Sequence, residues 1–366
     1  MQRTFSVIES GMRAGLHVGA QLYVAHNGHV IADRALGLAR PADASRAALP
    51  MTTDSLIVWL SSGKPFTAVA VAQLWERGRL DLDDPVAKFI PEFGVHGKDA
   101  ITIRHVLTHT APLRLLEIGW PDSTWDEIVA RIAAARPEPR WVSGQTAGYS
   151  MHLTWYVLGE IVQRLADQDL ATYLHQHVFL PCGMTTTRLA VPPEEQPALA
   201  DRLAIMQVTE RHPPTDAPAD SPQAMALPRP SASVRGPARE LGLFYQTMLN
   251  RGRGILSPQA VEAMTARHRV NTLDKTFNAV IDWGLGFILN SNFYAHAEAP
   301  YQYGPNASRR TFGHSGNQSS TGFADPEHHL VVAVIFNGMP GPAAHQERMR
   351  ATLAAIYEDL ELVNPM

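Results

Sequence analysis

Strand-rich segments at both ends of the chain enclose a helical middle, and this order limits the possible folds more than any other feature. Near the N-terminus, residues 20–38 contain two alternating apolar runs around Asn27-Gly28, a dipeptide that supports a tight hairpin turn because both positions accept positive φ. Four short runs near the C-terminus predict further strands, at residues 283–289, 310–313, 320–325 and 330–337. Strands on both sides of a helical region indicate an inserted domain.

Helical periodicity marks the middle and the C-terminal part of the chain. Apolar residues recur at three- and four-residue spacing in segments 65–77, 125–135, 155–166 and 170–178. Amphipathic segments 258–268 and 345–361 predict two more helices, which would cover the terminal sheet. We therefore expect an α/β (α+β) fold, an antiparallel sheet flanked by helices with a mostly helical inserted domain. The predicted boundaries assign residues 1–85 and 231–366 to the sheet domain and residues 86–230 to the insertion.

Composition excludes several classes of protein. The chain has 366 residues, of which 45% are hydrophobic, and this is enough for a large core. Its 31 basic and 35 acidic residues leave a net charge of -4, so nucleic acid is not an expected partner. The longest aliphatic run, residues 330–336, is far below the ~20 residues of a membrane span. Because the N-terminus also lacks a secretory signal pattern, we expect a cytoplasmic protein with no membrane partner.

Residues 213–230 contain six prolines, which we interpret as incompatible with regular secondary structure. This segment is predicted to be an ordered surface loop or a lid, with a simple connector as the alternative. Together with residues 111–124, it is expected to shape any pocket. The single cysteine, Cys182, excludes an intrachain disulfide framework and a site with several thiolate ligands.

The segment with the clearest chemical pattern is Leu60-Ser61-Ser62-Gly63-Lys64, directly before the strongest helical pattern. A spacing of three places the Ser61 hydroxyl and the Lys64 amine on one face of a helical turn. Serine becomes a good nucleophile when a neighbouring base takes its proton, and lysine can act as that base if desolvation keeps it neutral. The start of a helix also offers free N–H groups that stabilise an oxyanion. The alternative is that Ser61 or Ser62 only caps the helix and that Lys64 is solvated.

Metal or cofactor binding is not expected. The possible ligands are two histidine pairs, His105 with His109 and His175 with His177, and the acidic cluster Asp81, Asp83 and Asp84. The first pair has no third ligand nearby, the second pair points in two directions, and no calcium-loop pattern follows the aspartates. These residues are therefore predicted to be structural.

Several segments resemble the serine β-lactamase and penicillin-binding-protein superfamily, specifically its class C β-lactamase-like branch, which also contains esterases, peptidases and acyltransferases. The segment LSSGKPFTAVAVAQLWERGRLDLDDPVAKFIPEF is followed in family order by ITIRHVLTHTAPL, YSMHLTWYVLGEIVQRLA and FGHSGNQSSTGFADPEHHLVVAVIFNGM, so the resemblance covers nearly the whole chain. It implies a β-lactamase-like fold. The Ser-x-x-Lys motif falls on Ser61 and Lys64, which implies a nucleophile and its general-base partner.

The other two family motifs are only partly kept. Tyr-x-Asn falls on Tyr149 to Met151, so the tyrosine is present and the asparagine is not. The resemblance implies that Tyr149 acts as a phenolate base or as an acid toward the leaving group, although the sequence alone also allows an ordinary core tyrosine. Lys-Thr-Gly falls on His314, Ser315 and Gly316, so histidine replaces lysine.

The third motif lies on an edge strand in the family. The resemblance therefore implies that Gly316 lets the substrate approach this strand. It also implies that the backbone N–H groups of Asn317 and Ser61 form the oxyanion hole.

The resemblance implies a reaction through a Ser61 acyl-enzyme on a small-molecule ester or amide, without a cofactor. A carboxylesterase is the main prediction, because the family residues that recognise β-lactams, at Met151 and His314, are replaced. The first alternative is an acyltransferase or transacylase of natural-product biosynthesis, with an amine or alcohol as acyl acceptor. Further alternatives are a β-lactamase or D-amino-acid peptidase, and a binding module without activity.

Overall fold

A seven-stranded antiparallel sheet forms the centre of the computed structural model, which describes residues 1–44, 46–294 and 299–363. In chain order its strands are β1 (Gly19–His26), β2 (His29–Arg40), β3 (Leu49–Pro50), β4 (Ile288–Leu289), β5 (Phe312–Gly316), β6 (Ser320–Asp325) and β7 (Leu330–Phe336). In space their order is β4-β5-β6-β7-β1-β2-β3. The N-terminal hairpin thus continues the C-terminal sheet, as the sequence predicts.

The register of the sheet joins the two ends of the chain. Strand β1 pairs with β7 along its length, from Ala20 opposite Phe336 to His26 opposite Leu330. The predicted hairpin turn is confirmed, since Asn27 and Gly28 both have positive φ. Three further two-stranded pairs lie outside the sheet: Ile57–Val58 with Arg235–Gly236, Gln207–Val208 with Thr215–Asp216, and Leu273–Asp274 with Ala279–Val280.

Eleven α-helices are present in the described residues. They are α1 (Gln2–Arg13), α2 (Lys64–Glu76), α3 (Ile103–Leu107), α4 (Trp125–Ala134), α5 (Leu153–Ala166), α6 (Leu170–Leu174), α7 (Gln196–Leu199), α8 (Pro222–Ala226), α9 (Ala238–Leu249), α10 (Pro258–Thr265) and α11 (Pro342–Asp359). The six segments predicted as helices correspond to α2, α4, α5, α6, α10 and α11, although α6 ends at Leu174 and continues as a π-helical turn over His175–Phe179. Helices α1, α3, α7, α8 and α9 were not predicted. No helix among the described residues is long and apolar enough to cross a membrane.

Side chains of the sheet alternate between two hydrophobic clusters. Leu22 and Val24 face a cluster that includes residues of α1 and α11, whereas Tyr23 and Ala25 face the larger cluster that contains α9 and α2. Helix α2 is buried continuously from Lys64 to Leu74, which places its first turn deep in the protein. The larger cluster extends from the sheet into residues 86–230, so both parts of the chain share one core. The domain boundaries stay a prediction.

The prediction that residues 213–230 contain no regular structure is wrong. Thr215–Asp216 pairs as a short strand, Pro218–Asp220 forms a 3₁₀ turn, and α8 begins at Pro222. Proline is compatible with the first position of a helix, where its missing N–H would have no partner. The Ser221 hydroxyl caps α8 by accepting a 3.2 Å hydrogen bond from the N–H of Ala224.

The predicted strand over residues 283–289 is also shorter than expected. Only Ile288–Leu289 joins the sheet, and Trp283 forms isolated bridges with Arg269 and Ile288. Gly286 has positive φ, which is incompatible with an extended strand at that point.

We expect Asn337→Ala to lower the free energy of unfolding by about 2–4 kcal/mol, because it removes the side chain that joins β1, β2 and the end of β7. The fully buried Asn337 amide accepts a 2.7 Å hydrogen bond from the N–H of Gly19 and donates one of 2.8 Å to the Leu38 carbonyl. Urea unfolding measures this change. The exposed Asn250 serves as control: an effect of Asn337→Ala no larger than that of Asn250→Ala would contradict the assigned role.

Candidate active site

Ser61 lies in a 3₁₀ turn, Leu60–Gly63, that leads directly into α2. Leu60 has a φ of 51°, a left-handed conformation that leucine rarely adopts, so the residue before Ser61 carries backbone strain. The neighbouring Ser62 holds this turn against β5, because its hydroxyl donates to the carbonyl of His314 at 3.1 Å and lies 2.9 Å from the hydroxyl of Ser320. The contacts of Ser62 therefore fix the turn that carries Ser61.

The side chains of Ser61 and Lys64 are in direct contact. The Lys64 Nζ lies 2.8 Å from the Ser61 Oγ and also donates to the Ser231 carbonyl at 2.9 Å. Lys64 is fully buried, and no side-chain cap is present at the start of α2, so the alternative of a capping serine and a solvated lysine is wrong. Burial, helped by the positive charge of Arg229, holds the pKa of Lys64 well below its usual value.

Tyr149 lies next to this pair. Its phenol interacts with the Ser61 hydroxyl, and the Lys64 Nζ lies 5.1 Å from the centre of its ring. The backbone N–H of Tyr149 donates to Asp274 at 3.1 Å, and its ring packs on His109 and Phe277. Burial raises the pKa of the phenol and outweighs the interaction with Ser61, which lowers it, so Tyr149 is protonated near neutral pH.

The third motif lies on β5, but this is not the predicted edge strand, because the two-residue strand β4 pairs with Phe312 and Gly313 at the edge of the sheet. His314 is buried, its Nδ1 lies 3.0 Å from the Ser315 carbonyl oxygen, and its pKa is held well below the usual value, first by burial and then by the charge of Lys64. The side chain is therefore uncharged near neutral pH. A Cβ atom at Gly316 would overlap the Trp59 carbonyl and the Ser320 hydroxyl, so glycine here lets β5 approach the Ser61 turn.

A cavity of about 350 Å³ opens over Ser61. Six of the sequence-predicted site residues line it: Ser61, Tyr149, Met151, His314, Ser315 and Asn317. The other two, Lys64 and Gly316, do not line the cavity. Both segments that were expected to shape a pocket contribute, through Trp120 and through Ala217–Ala219. The proline-rich segment is thus part of the cavity wall rather than a simple connector.

Sequence reasoning missed His152, Ser231 and Arg229. The His152 Nδ1 lies 2.9 Å from the hydroxyl of Ser231, whose carbonyl holds Lys64, and burial lowers the pKa of His152 to about 3. Arg229 lines the cavity and comes from the proline-rich segment. His152 could have been suspected because it directly follows the second motif, and Arg229 because it is the cation that stands between two prolines.

Three of the residues considered as metal ligands have other contacts. His109 accepts a hydrogen bond from the Ser150 N–H at 3.0 Å, His105 accepts one from the Thr102 N–H at 3.2 Å, and Asp83 pairs with Arg104. Within residues 1–44, 46–294 and 299–363, no group of three or more histidine, cysteine or acidic side chains could hold a metal ion.

Comparison with known proteins gives a consistent set of similarities. Residues 5–356 match the family model described as Beta-lactamase. Esterase/beta-lactamase LipL of Mycobacterium tuberculosis is 25% identical over 377 residues, with 93% of this chain and 81% of LipL covered. Esterase EstB of Burkholderia gladioli is 35% identical over 202 residues, which cover 50% of each protein.

Solved structures give the same result. A penicillin-binding protein homologue from Caulobacter crescentus superimposes with a TM-score of 0.75 at 28% sequence identity, and 97% of both chains is covered. This overlap and the match of the family model over nearly the whole length confirm the β-lactamase-like fold. The chain therefore belongs to the β-lactamase family, whose relatives here are esterases and penicillin-binding proteins of the serine β-lactamase superfamily.

Proposed function

We propose that this protein is a carboxylesterase that hydrolyses small-molecule esters through an acyl-enzyme on Ser61. The observation that carries the proposal is the 2.8 Å contact between the Ser61 hydroxyl and the amine of Lys64, which is buried where its neutral form is favoured. The names of Esterase/beta-lactamase LipL and Esterase EstB both include esterase, which supports the same reaction class. The apolar character of most cavity-lining residues suits an ester with hydrocarbon groups.

Lys64 is the better candidate for the general base. Burial disfavours its ammonium form, so a neutral amine is available to accept the Ser61 proton. Burial has the opposite consequence for Tyr149, because it disfavours the phenolate. The protonated phenol is therefore suited to act as an acid. Together the two groups pass one proton from the nucleophile to the leaving oxygen.

The proposed reaction has two steps, acylation of Ser61 and hydrolysis of the acyl-enzyme. Lys64 takes the proton of Ser61 while the Ser61 oxygen attacks the ester carbonyl, and the N–H groups of Ser61 and Asn317 are the proposed oxyanion hole. The C–O bond to the leaving group breaks as Tyr149 gives it a proton and regains one from the Lys64 ammonium. Water then attacks the acyl-enzyme by the reverse route, which releases the carboxylic acid and the free serine.

The neutral state of His314 bears on the alternatives. A β-lactamase of this family uses a lysine at this position to hold the substrate carboxylate, whereas His314 is uncharged near neutral pH. Hydrolysis of β-lactams or D-amino-acid peptides is therefore less well supported than ester hydrolysis. Acyl transfer to an amine or alcohol stays a prediction, and so does a cytoplasmic location.

We expect Ser61→Ala to lower kcat for 4-nitrophenyl esters by about 10⁴-fold or more, because no other hydroxyl replaces the nucleophile. Intact-protein mass spectrometry after treatment with a fluorophosphonate should show one adduct, at Ser61. The neighbouring Ser62→Ala is the matched control and should still be labelled. An adduct on the Ser61→Ala protein would refute the assignment of the nucleophile.

The kcat/KM for a neutral ester should fall as the pH is lowered through the pKa of Lys64. Below that pKa the amine is protonated and cannot accept the Ser61 proton, and because burial lowers the pKa, activity should persist at neutral pH. Lys64→Arg should be inactive at every pH at which the protein is folded, since arginine stays protonated. Lys88→Met, which alters a surface lysine, should keep the wild-type profile. An unchanged profile in Lys64→Arg would contradict the proposal.

Tyr149→Phe should reduce hydrolysis of ethyl esters by ~10²-fold or more and that of 4-nitrophenyl esters much less. Ethoxide needs a proton to leave, whereas 4-nitrophenolate leaves without one, so the loss of an acid affects only the first. Tyr357→Phe is the control, because it removes a buried hydroxyl that contacts Asp325 outside the cavity. Equal losses for both ester types would exclude the role as an acid.

A further inference from the structure

Arg229 is the charged residue in the wall of the cavity over Ser61. Among the described residues that line this cavity, none is an aspartate or glutamate. Lys64 lies behind the wall, and its pKa is lowered. His152 and His314, which do line the cavity, both have pKa values lowered by burial. The cavity therefore presents one fixed positive charge near neutral pH.

The guanidinium of Arg229 is held in place without an acidic partner. Its central carbon lies 3.9 Å from the centre of the Trp120 ring, a cation–π contact that helps to hold the group in place. Burial lowers the pKa of Arg229 only to about 10, so the charge remains at neutral pH. Within the described part of the chain, no carboxylate pairs with it, and its Nε has no hydrogen-bond partner.

An unpaired and partly buried cation is costly to a folded protein. A guanidinium loses hydration when it is buried, and this loss is recovered only if an anion or several acceptors take the place of water. Arginine forms two parallel hydrogen bonds to a carboxylate, and such charged bonds are strong where water is excluded. The buried Nε1 of Trp120, which also has no partner in the described residues, offers one more donor next to it.

We infer that Arg229 binds a carboxylate of the substrate, so that this enzyme prefers esters that also carry a free carboxylate. The inference rests on the proposed function and specifies its substrate class. It also gives a reason for an arginine in the segment of residues 213–230. The lysine of the third family motif is replaced by His314, so Arg229 supplies the positive charge instead. The carboxylate belongs either to the acyl half of the ester or to its alcohol half, and two pairs of substrates distinguish these.

The test compares each anionic ester with a neutral ester of the same shape. The acyl pair is the mono-4-nitrophenyl ester of glutarate and that of glutaramate, in which an amide replaces the carboxylate. The alcohol pair is 4-carboxyphenyl acetate and 4-carbamoylphenyl acetate. The measured quantity is the ratio of kcat/KM for the anionic ester to that for the neutral one. This ratio cancels any effect of Arg229 on the pKa of Lys64.

We expect the ratio to exceed about 10 in the wild type for one pair and to fall by about 10²-fold in Arg229→Gln, as for a lost buried ion pair. Arg34→Gln, which makes the same change at an exposed arginine of β2, should leave the ratio unchanged. If Arg229→Gln does not fold, Arg229→Lys should lower the ratio about tenfold, because lysine lacks the planar pair of donors. Equal ratios in the wild type and the folded Arg229 variant would overturn the inference, as would a preference for both neutral esters.

Binding without turnover separates this inference from the proposed function. Calorimetry of the Ser61→Ala protein with glutarate should show saturable binding that is lost in the Ser61→Ala, Arg229→Gln double variant and weakened by salt. If no ester is hydrolysed but glutarate binds in this way, the proposed function fails and the Arg229 site stands. If neutral esters are hydrolysed through Ser61 but glutarate does not bind, the Arg229 site fails and the esterase stands.

Discussion

The antiparallel pairing of β1 with β7 is the constraint on which the rest of the structure depends. It joins chain segments that are about 300 residues apart in sequence, and the buried amide of Asn337 locks the junction by bonding to β1 and to the end of β2. Once β1 and β7 are paired, β6 and β5 follow β7 in the sheet. This order brings the third motif on β5 to the turn that carries Ser61. The candidate active site is therefore a product of long-range strand pairing.

Burial sets the protonation states of the groups in the site. It disfavours the ammonium of Lys64, the phenolate of Tyr149 and the imidazolium of His314, so all three favour their neutral forms. A neutral amine and a neutral phenol are the states needed to take and to give one proton. Arg229 is the exception, since burial lowers its pKa only to about 10 and leaves it cationic.

Close packing explains features that the motifs alone do not. Gly316 was predicted to give the substrate access to β5, yet in the structure a side chain there would overlap the carbonyl of Trp59 and the hydroxyl of Ser320. The strained backbone of Leu60 lies in the same contact, directly before Ser61. The approach of β5 to the Ser61 turn thus depends on a missing side chain on one strand and on an unusual backbone conformation in the turn.

The sequence by itself determined what is local: the hairpin at Asn27-Gly28, six of the helices, and the contact between Ser61 and Lys64, which follows from their spacing on one helical turn. The family motifs also identified residues that meet at one cavity. Only the tertiary structure decided the burial of Lys64, the role of Gly316 and the presence of Arg229 in a cavity whose described lining residues include no aspartate or glutamate. The physical reason is that desolvation and steric overlap depend on neighbours distant in the chain, whereas turn and helix geometry depend on residues a few positions apart.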